Sequence, residues 1–117
     1  MAIILKVLNA DNFINSFREL IRYRKIKTWI VDAEGDFTHS NPQWFLKSWF
    51  RAKKTGEKTV VFGIIISKYH IMTKELYGVY HGRMTATLLA NLDEEIQEIE
   101  ITPDFDPDND IFPVNHD

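Results

Sequence analysis

The chain has 117 residues, the usual size of one domain built around a single hydrophobic core. Apolar residues make up 44% and aromatic residues 13%, which excludes a globally disordered protein, and the absence of cysteine excludes disulfides and thiolate metal sites. No apolar run approaches the roughly 18 residues of a membrane-spanning helix, and the apolar run at residues 2–5 is too short for the core of a signal peptide. We therefore expect a cytoplasmic protein without a membrane segment.

The net charge of −3 conceals a separation of charge along the chain. Residues 1–60 carry 11 Lys and Arg against 6 Asp and Glu, whereas residues 61–117 carry 3 against 11. Basic residues concentrate at 18–27 and at 51–58, and acidic residues concentrate at 93–117. Such an acidic end favours rapid, salt-sensitive docking on a basic partner; the alternative is that it stays solvated or folds back on the basic groups. The pI near 5.8 counts against a nucleic acid partner.

The first half of the sequence predicts a strand, a helix and a hairpin. Residues 2–8 form an apolar run typical of a buried strand. A helix is predicted over about residues 12–25, where apolar side chains recur at helical spacing at Phe13, Phe17, Leu20 and Ile21. Two β-branched and aromatic runs, at 28–32 and 37–39, flank a glycine-bearing turn at 33–36 and therefore predict a β-hairpin.

The second half predicts three more strands and a second helix. Alternation predicts a strand at 47–53, and the continuous apolar run at 59–67 predicts a central strand covered on both faces. Thr73 is expected to cap a helix whose apolar stripe is Tyr77, Tyr80, Met84, Leu88 and Leu92. Residues 96–102 alternate as a last strand, and residues 103–117 are expected to be an acidic extended or disordered tail.

These elements follow the order β-α-β-β-β-β-α-β. Four consecutive strands favour an antiparallel meander, and two helices suffice to cover one face of a sheet. The predicted fold class is α+β, a two-layer sandwich with a mostly antiparallel sheet of about five to six strands and both helices on one face. Residues 1–102 are predicted to form the single domain, and residues 103–117 to lie outside it.

Four side chains are the candidates for a ligand-binding cleft, namely Tyr77, His81, Arg83 and His39. Hydroxyl, imidazole and guanidinium groups suit an anion such as a phosphate. Tyr77 and His81 are i,i+4 neighbours that share a helix face, but Arg83 points in another direction because each helical step turns about 100°. The alternative is that the tyrosines line the edge of the core and that Arg83 is solvated.

A second group of polar residues surrounds the hairpin turn, where Asp32, Glu34 and Asp36 lie close in sequence to His39. Carboxylates together with an imidazole suit a divalent cation or acid–base chemistry. Asp and Gly are also the residues that build turns, and positions 36 and 39 leave opposite faces of a strand. We therefore favour turn formation as the role of these acids.

The second helix carries small residues at four-residue spacing, at Gly78, Gly82, Ala86 and Ala90. A glycine inside a helix costs about 1 kcal/mol relative to alanine, so we expect a close contact that compensates for it. This small-residue ridge is predicted to pack tightly against another element of the same chain. The alternative is that it contacts a second copy of the chain in a homodimer.

An interaction surface is predicted on the charged faces. Trp49 shares a strand face with Arg51 and Lys53, which predicts a partly exposed aromatic ring beside two cations, as in protein interfaces. The acidic counterpart lies in the tail, at Asp104, Asp106, Asp108 and Asp110. The tail alternates as a calcium-binding loop does, but it lacks the glycine and the final glutamate of such a loop.

The sequence contains no nucleophile motif, phosphate loop, dinucleotide fingerprint or metal-ligand spacing, so we assign no catalytic residue, cofactor or metal. It predicts a small protein–protein interaction module, of the adaptor, inhibitor or immunity type, that uses its segregated charged faces. The alternative is a small enzyme or ligand-binding domain with a cleft lined by His, Tyr and Arg side chains. Convergence of the four candidate side chains in one pocket would favour this alternative.

Overall fold

Six strands and two helices follow one another in the predicted order in residues 2–67 and 69–102, the part of the chain that the computed structural model describes. The strands are β1 (Ile3–Val7), β2 (Trp29–Val31), β3 (Phe37–His39), β4 (Ser48–Gly56), β5 (Thr59–Ile66) and β6 (Ile96–Ile101). The helices are α1 (Ala10–Arg22) and α2 (Lys74–Leu92), and a 3-10 turn at Asp93–Glu95 joins α2 to β6. The predicted tail, residues 103–117, lies outside the described residues, so its boundary with the domain stays a prediction.

Helix α1 begins and ends at local signals. The Asn9 side chain accepts the backbone N–H of Asn12 at 2.9 Å and so satisfies a free amide of the first turn, which starts the helix before the predicted position 12. At the other end Arg24 adopts a left-handed φ of 60°, and the helix therefore ends before the predicted position 25. The predicted stripe at Phe13, Phe17 and Ile21 is buried.

Helix α2 begins where the sequence predicts. The Thr73 hydroxyl accepts the backbone N–H of Leu76 at 3.1 Å and caps the first turn. The buried side chains of the helix recur every three or four positions and include Tyr77, Tyr80, Met84, Leu88 and Leu92, as predicted. One face of α2 therefore packs on the sheet.

The six strands form one antiparallel sheet in the order β2-β3-β4-β5-β1-β6. Strand β5 lies in the interior, where Ile64 pairs with Phe50 of β4 and Phe62 pairs with Ile3 of β1. The N-terminal strand enters between β5 and β6, which leaves β2 and β6 as the two edges among the described strands. The predicted α+β class, the antiparallel sheet and the interior position of the strand at 59–67 are confirmed.

Both helices pack on the same face of the sheet and enclose the core. Its fully buried side chains include Phe13 and Phe17 from α1, Tyr80 and Met84 from α2, and Phe50 and Phe62 from the sheet. Each such burial stabilises the fold by roughly 1.5–3 kcal/mol. On the opposite face of β5, Val61 and Ile65 are buried as well, which confirms the prediction of a strand covered on both faces. In the described residues neither helix is long and apolar enough to cross a membrane.

Candidate functional site

Two of the four residues predicted for a cleft meet at the surface. His39 ends β3 and Arg83 lies in the third turn of α2, and the Arg83 Nη1 atom is 3.4 Å from the His39 Nε2 atom. The His39 side chain is almost fully buried, whereas Arg83 is exposed. Together they line an open depression whose other walls are Thr28, Ser40, Asn41, Pro42, Ala86 and Thr87. The sheet and α2 thus bring an imidazole and a guanidinium together across 44 positions of sequence.

Neighbouring groups fix the His39 ring in place. The backbone N–H of Asn41 donates to His39 Nδ1 at 3.0 Å, and the ring packs edge-to-face against Trp29 with centroids 5.0 Å apart. Burial and the positive charge of Arg83 together lower the pKa of His39 below its usual 6.5. The ring is therefore a neutral imidazole at physiological pH.

The backbone that carries Arg83 is also held by polar contacts. The Thr87 hydroxyl donates to the Arg83 carbonyl oxygen at 2.8 Å and accepts the indole N–H of Trp29 at 3.0 Å. Trp29 therefore supports both sides of the depression, the imidazole through its ring and the helix turn of Arg83 through Thr87.

Tyr80 supports the same region from below, a role that the sequence reasoning missed. Its hydroxyl donates to the Trp44 carbonyl oxygen at 2.6 Å and lies 3.2 Å from Thr38 Oγ1 and 3.4 Å from the backbone nitrogen of His39. Burial raises the pKa of Tyr80 above its usual 10.0. The hydroxyl joins α2 to the end of β3 and to the following loop.

The other two cleft candidates, Tyr77 and His81, lie in the core. Both are buried, and His81 Nδ1–H donates to the Tyr77 carbonyl oxygen at 2.7 Å. The His81 ring also packs edge-to-face on Phe50, with centroids 4.9 Å apart. The four residues therefore do not converge in one cleft, because the i,i+4 pair faces the sheet while Arg83 projects to the side.

The predicted interaction face around Trp49 is not a free surface. Trp49 is only 1% exposed, so the prediction of a partly exposed aromatic ring is wrong. The guanidinium of Arg51 donates from Nε and Nη2 to the two carboxylate oxygens of Asp36, at 3.0 and 2.9 Å, and Glu34 lies 3.7 Å away. Hydrogen bonding to Asp36 raises the pKa of Arg51 above its ordinary value. The third residue of the predicted face, Lys53, is partly buried.

The acids of the hairpin turn have structural partners. Asp32 accepts the backbone N–H groups of Glu34 and Asp36, each at 2.9 Å, which is the local bonding expected of an Asx turn. Asp36 is buried and holds Arg51. Residues 2–67 and 69–102 contain no group of three or more His, Asp or Glu that could hold a metal ion. The acidic positions Asp104, Asp106, Asp108 and Asp110 lie outside the described residues.

The small-residue ridge faces outward. A Cβ atom placed on Gly78 or Gly82 would have no described atom within 4 Å, and Ala86 and Ala90 are exposed. The prediction of close packing within the chain is therefore wrong. The ridge is offset by two residues from Tyr80, Met84 and Leu88, which is about 200° around the helix, so it lies nearly opposite the buried stripe. A contact with a second copy of the chain stays a prediction.

A basic groove runs along the open edge of the sheet. Arg22, Arg24 and Lys27 line it together with the apolar side chains of Ile21, Ile26 and Ile30, and its volume is about 700 Å³. None of these three cations forms an ion pair with a carboxylate of the described residues, whereas Lys6, Arg51 and Lys54 all do. The sequence located these cations but not the groove, because the groove also needs the edge strand β2 beside the end of α1.

Comparison of the chain with protein-family models, with curated protein sequences and with solved structures finds no match.

Proposed function

We propose that this protein is a small protein–protein interaction module that binds an acidic, extended segment of a partner protein in the basic groove. The observation that carries this proposal is a set of three cations, Arg22, Arg24 and Lys27, which form no ion pair with a described carboxylate and lie beside an open strand edge. A partner of this kind agrees with an adaptor, inhibitor or immunity-type role in the cytoplasm.

The backbone of β2 supports binding by strand addition. The Ser40 N–H donates to the Thr28 carbonyl oxygen at 2.9 Å, and the Asp32 N–H donates to the Asp36 carbonyl oxygen at 2.9 Å. In an antiparallel pair, alternate residues direct their polar backbone groups to the same neighbour, so the intervening Trp29 and Val31 direct theirs to the open edge. An extended peptide can accept and donate hydrogen bonds there, as in β-augmentation.

Side chains in the groove favour an acidic peptide with alternating apolar residues. A strand places alternate side chains on opposite faces, so carboxylates on one face of the added strand would approach the cations. Ile30 is 40% exposed at the edge and offers an apolar contact to the other face. Charge complementarity of this kind raises the association rate and selects partners more than it raises affinity.

The acidic surface at the other edge of the sheet disfavours nucleic acid as the partner. Glu98 and Glu100 lie on β6, and the whole chain carries a net charge of −3. A long polyanion would meet repulsion beyond the groove, whereas a short peptide would contact the cations alone. Strand addition also needs backbone amides, which nucleic acids lack.

The four-residue cleft of the alternative hypothesis does not form, because Tyr77 and His81 are in the core. We therefore assign no catalytic reaction to the protein.

A labelled peptide of about ten residues with alternating Glu and Val is the probe for the groove. We expect it to bind at about 50 mM NaCl and to bind much more weakly at about 500 mM NaCl, because the cations are exposed and screened by salt. A peptide with alternating Lys and Val should not bind. The same Glu and Val peptide with N-methyl groups on all of its amides should also fail, because neither edge of the peptide can then donate to the strand.

Charge reversal locates the binding site. Lys27→Glu should weaken peptide binding by about tenfold at low salt. The matched control is Lys58→Glu, an exposed lysine at the opposite end of α1, where the backbone N–H of Ala10 donates to the Glu57 carbonyl oxygen at 2.8 Å. The proposal would be contradicted if both variants lost the same peptide affinity, or if Lys27→Glu bound the peptide as the wild type does. It would also be contradicted if a single-stranded oligonucleotide displaced the labelled peptide at a lower concentration than unlabelled peptide does.

A further inference from the structure

The contacts of His39 place two hydrogen-bond donors face to face. A neutral imidazole carries one proton, and Nδ1 must be the acceptor because the backbone N–H of Asn41 donates to it at 3.0 Å. The proton is therefore on Nε2. Among the described residues, the polar contact of Nε2 is Arg83 Nη1 at 3.4 Å, and a guanidinium nitrogen can only donate.

This pair lacks an acceptor in the described part of the chain. Arg83 forms no ion pair with a described carboxylate. The nearby Thr87 hydroxyl directs its proton to the Arg83 carbonyl oxygen and accepts the indole N–H of Trp29. Two donors in contact repel each other, and one of them is on a ring that is only 4% exposed, so a third group that accepts from both would stabilise the pair.

We propose that His39 Nε2–H and the Arg83 guanidinium bind one small oxyanion, a carboxylate or a phosphate. Such an anion has at least two acceptor oxygens, so one oxygen can accept from the imidazole while another accepts from the guanidinium. The exposed Thr28 hydroxyl and Asn41 amide also line the depression and can complete the coordination. The depression is open to solvent, which suits a ligand that enters directly.

The site is held in its binding geometry before a ligand arrives. Trp29 packs on the imidazole, Asn41 fixes its tautomer, and the Tyr80 hydroxyl lies against the His39 backbone nitrogen. Of the two main ligand groups, only the long Arg83 side chain has to become ordered on binding, because the His39 ring is fixed during folding. The depression adjoins the groove, and Ser40 lines both, but the proposed anion-binding groups on His39 and Arg83 do not line the groove. The oxyanion site therefore does not depend on the proposed function.

The tautomers of the buried histidines give the first test. Long-range ¹H–¹⁵N correlation spectra should show His39 protonated on Nε2 at neutral pH. His81 is an internal reference for the other tautomer, because its Nδ1–H donates to the Tyr77 carbonyl oxygen. If His39 instead carries its proton on Nδ1, Arg83 can donate to Nε2, the two donors no longer face each other, and the proposal is wrong.

Titration with anions gives the second test. We expect sodium phosphate or sodium acetate to cause a saturable shift of the His39 Nε2 resonance that sodium chloride at the same ionic strength does not cause. A saturable shift with both anions would indicate a site for oxyanions in general. A saturable shift with only one of them would indicate a phosphate site or a carboxylate site, respectively. A linear, unsaturable response shared with chloride would overturn the proposal.

Three arginine variants separate the site from general charge effects. Arg83→Gln should abolish the saturable shift, and Arg83→Lys should weaken it, because lysine keeps the charge but not the two-pronged geometry. Arg22→Gln, which removes a cation from the basic groove, should leave the shift unchanged. An equal response in the wild type and in Arg83→Gln would overturn the proposal even if peptide binding to the groove is confirmed.

Discussion

Replacement of Gly82 by alanine should stabilise the protein. Gly82 lies in the middle of α2, where glycine costs about 0.8–1.0 kcal/mol relative to alanine because its backbone loses more freedom on folding. A Cβ atom at this position would have no described atom within 4 Å, so the methyl group meets no steric cost. The full propensity difference should therefore appear as added stability of about 1 kcal/mol.

Thermal denaturation measures this effect directly. A gain of about 1 kcal/mol corresponds to a rise in Tm of roughly 4–8 °C for a domain of this size. Gly78 has the same open surroundings, so the double variant Gly78→Ala, Gly82→Ala should gain about twice as much. The reverse change Ala86→Gly, on the same exposed ridge, should lose about 1 kcal/mol.

A larger side chain distinguishes an open face from a covered one. Gly82→Leu should be tolerated, because the ridge faces outward and overpacking needs a neighbour. A fall in Tm for Gly82→Ala, or a loss of more than about 1 kcal/mol for Gly82→Leu, would refute this reasoning. If sizing at several protein concentrations then showed that the leucine variant converts a dimer to a monomer, the ridge would be the contact between two copies.

Three further outcomes follow from the polar contacts. In denaturant melts, Asp36→Ala should lower the free energy of unfolding by about 2–3 kcal/mol, because it leaves the Arg51 guanidinium without its bidentate partner. Glu34→Gln should change the free energy of unfolding by less than about 0.5 kcal/mol, because that contact is exposed and longer. Tyr80→Phe should cost about 1–3 kcal/mol, since several buried groups lose their partner, and a variant as stable as the wild type would contradict that role. Because the pKa of His39 is lowered in the folded state, the unfolded state binds more protons below pH 6.5, and stability should fall as the pH drops from 6.5 through the folded-state pKa. In the Arg83→Gln variant, an NMR titration should show the pKa of His39 raised toward 6.5.

The sequence predicted the elements well because their signals are local. Asn9 and Thr73 cap helices through side-chain oxygens that bond within three residues, and the apolar run at 59–67 reports burial on both faces of one strand. These interactions depend on neighbours in sequence, so periodicity and composition suffice to find them.

The prediction of an exposed face around Trp49 failed because the exposure of a strand face depends on which other parts of the chain cover it. Alternation correctly separates Trp49 from Phe50, but it cannot tell whether the face of Trp49 is covered, and the charged neighbours suggested that it was not. The partner of Arg51 was equally hidden, because Asp36 lies in the turn between β2 and β3, 15 positions away in the sequence. Periodicity assigns side chains to faces, whereas exposure depends on the tertiary arrangement of the faces.

The ridge was misread for a different reason, since the sequence did contain the necessary signal. Gly82 is offset by two residues from both Tyr80 and Met84, and two residues correspond to about 200° of rotation. A stripe so displaced from the buried stripe must face away from the sheet. By contrast, the contact of His39 with Arg83 joins a strand end to a helix turn across 44 positions, and no local pattern specifies that register.

The exposed glycine provides a background in which the oxyanion site can be tested without ambiguity. Gly82 adjoins Arg83, but its added methyl group would touch no described atom, so Gly82→Ala should leave the contact between His39 and Arg83 intact while it stabilises α2. We expect the phosphate or acetate response of His39 to keep its midpoint within about twofold in this variant. Arg83→Gln on the same stabilised background should still lose the response, and its higher Tm would exclude unfolding as the cause. A Gly82→Ala variant that loses the anion response while its Tm rises would show that the ligand approaches the helix backbone at position 82, and the site would then extend over the ridge.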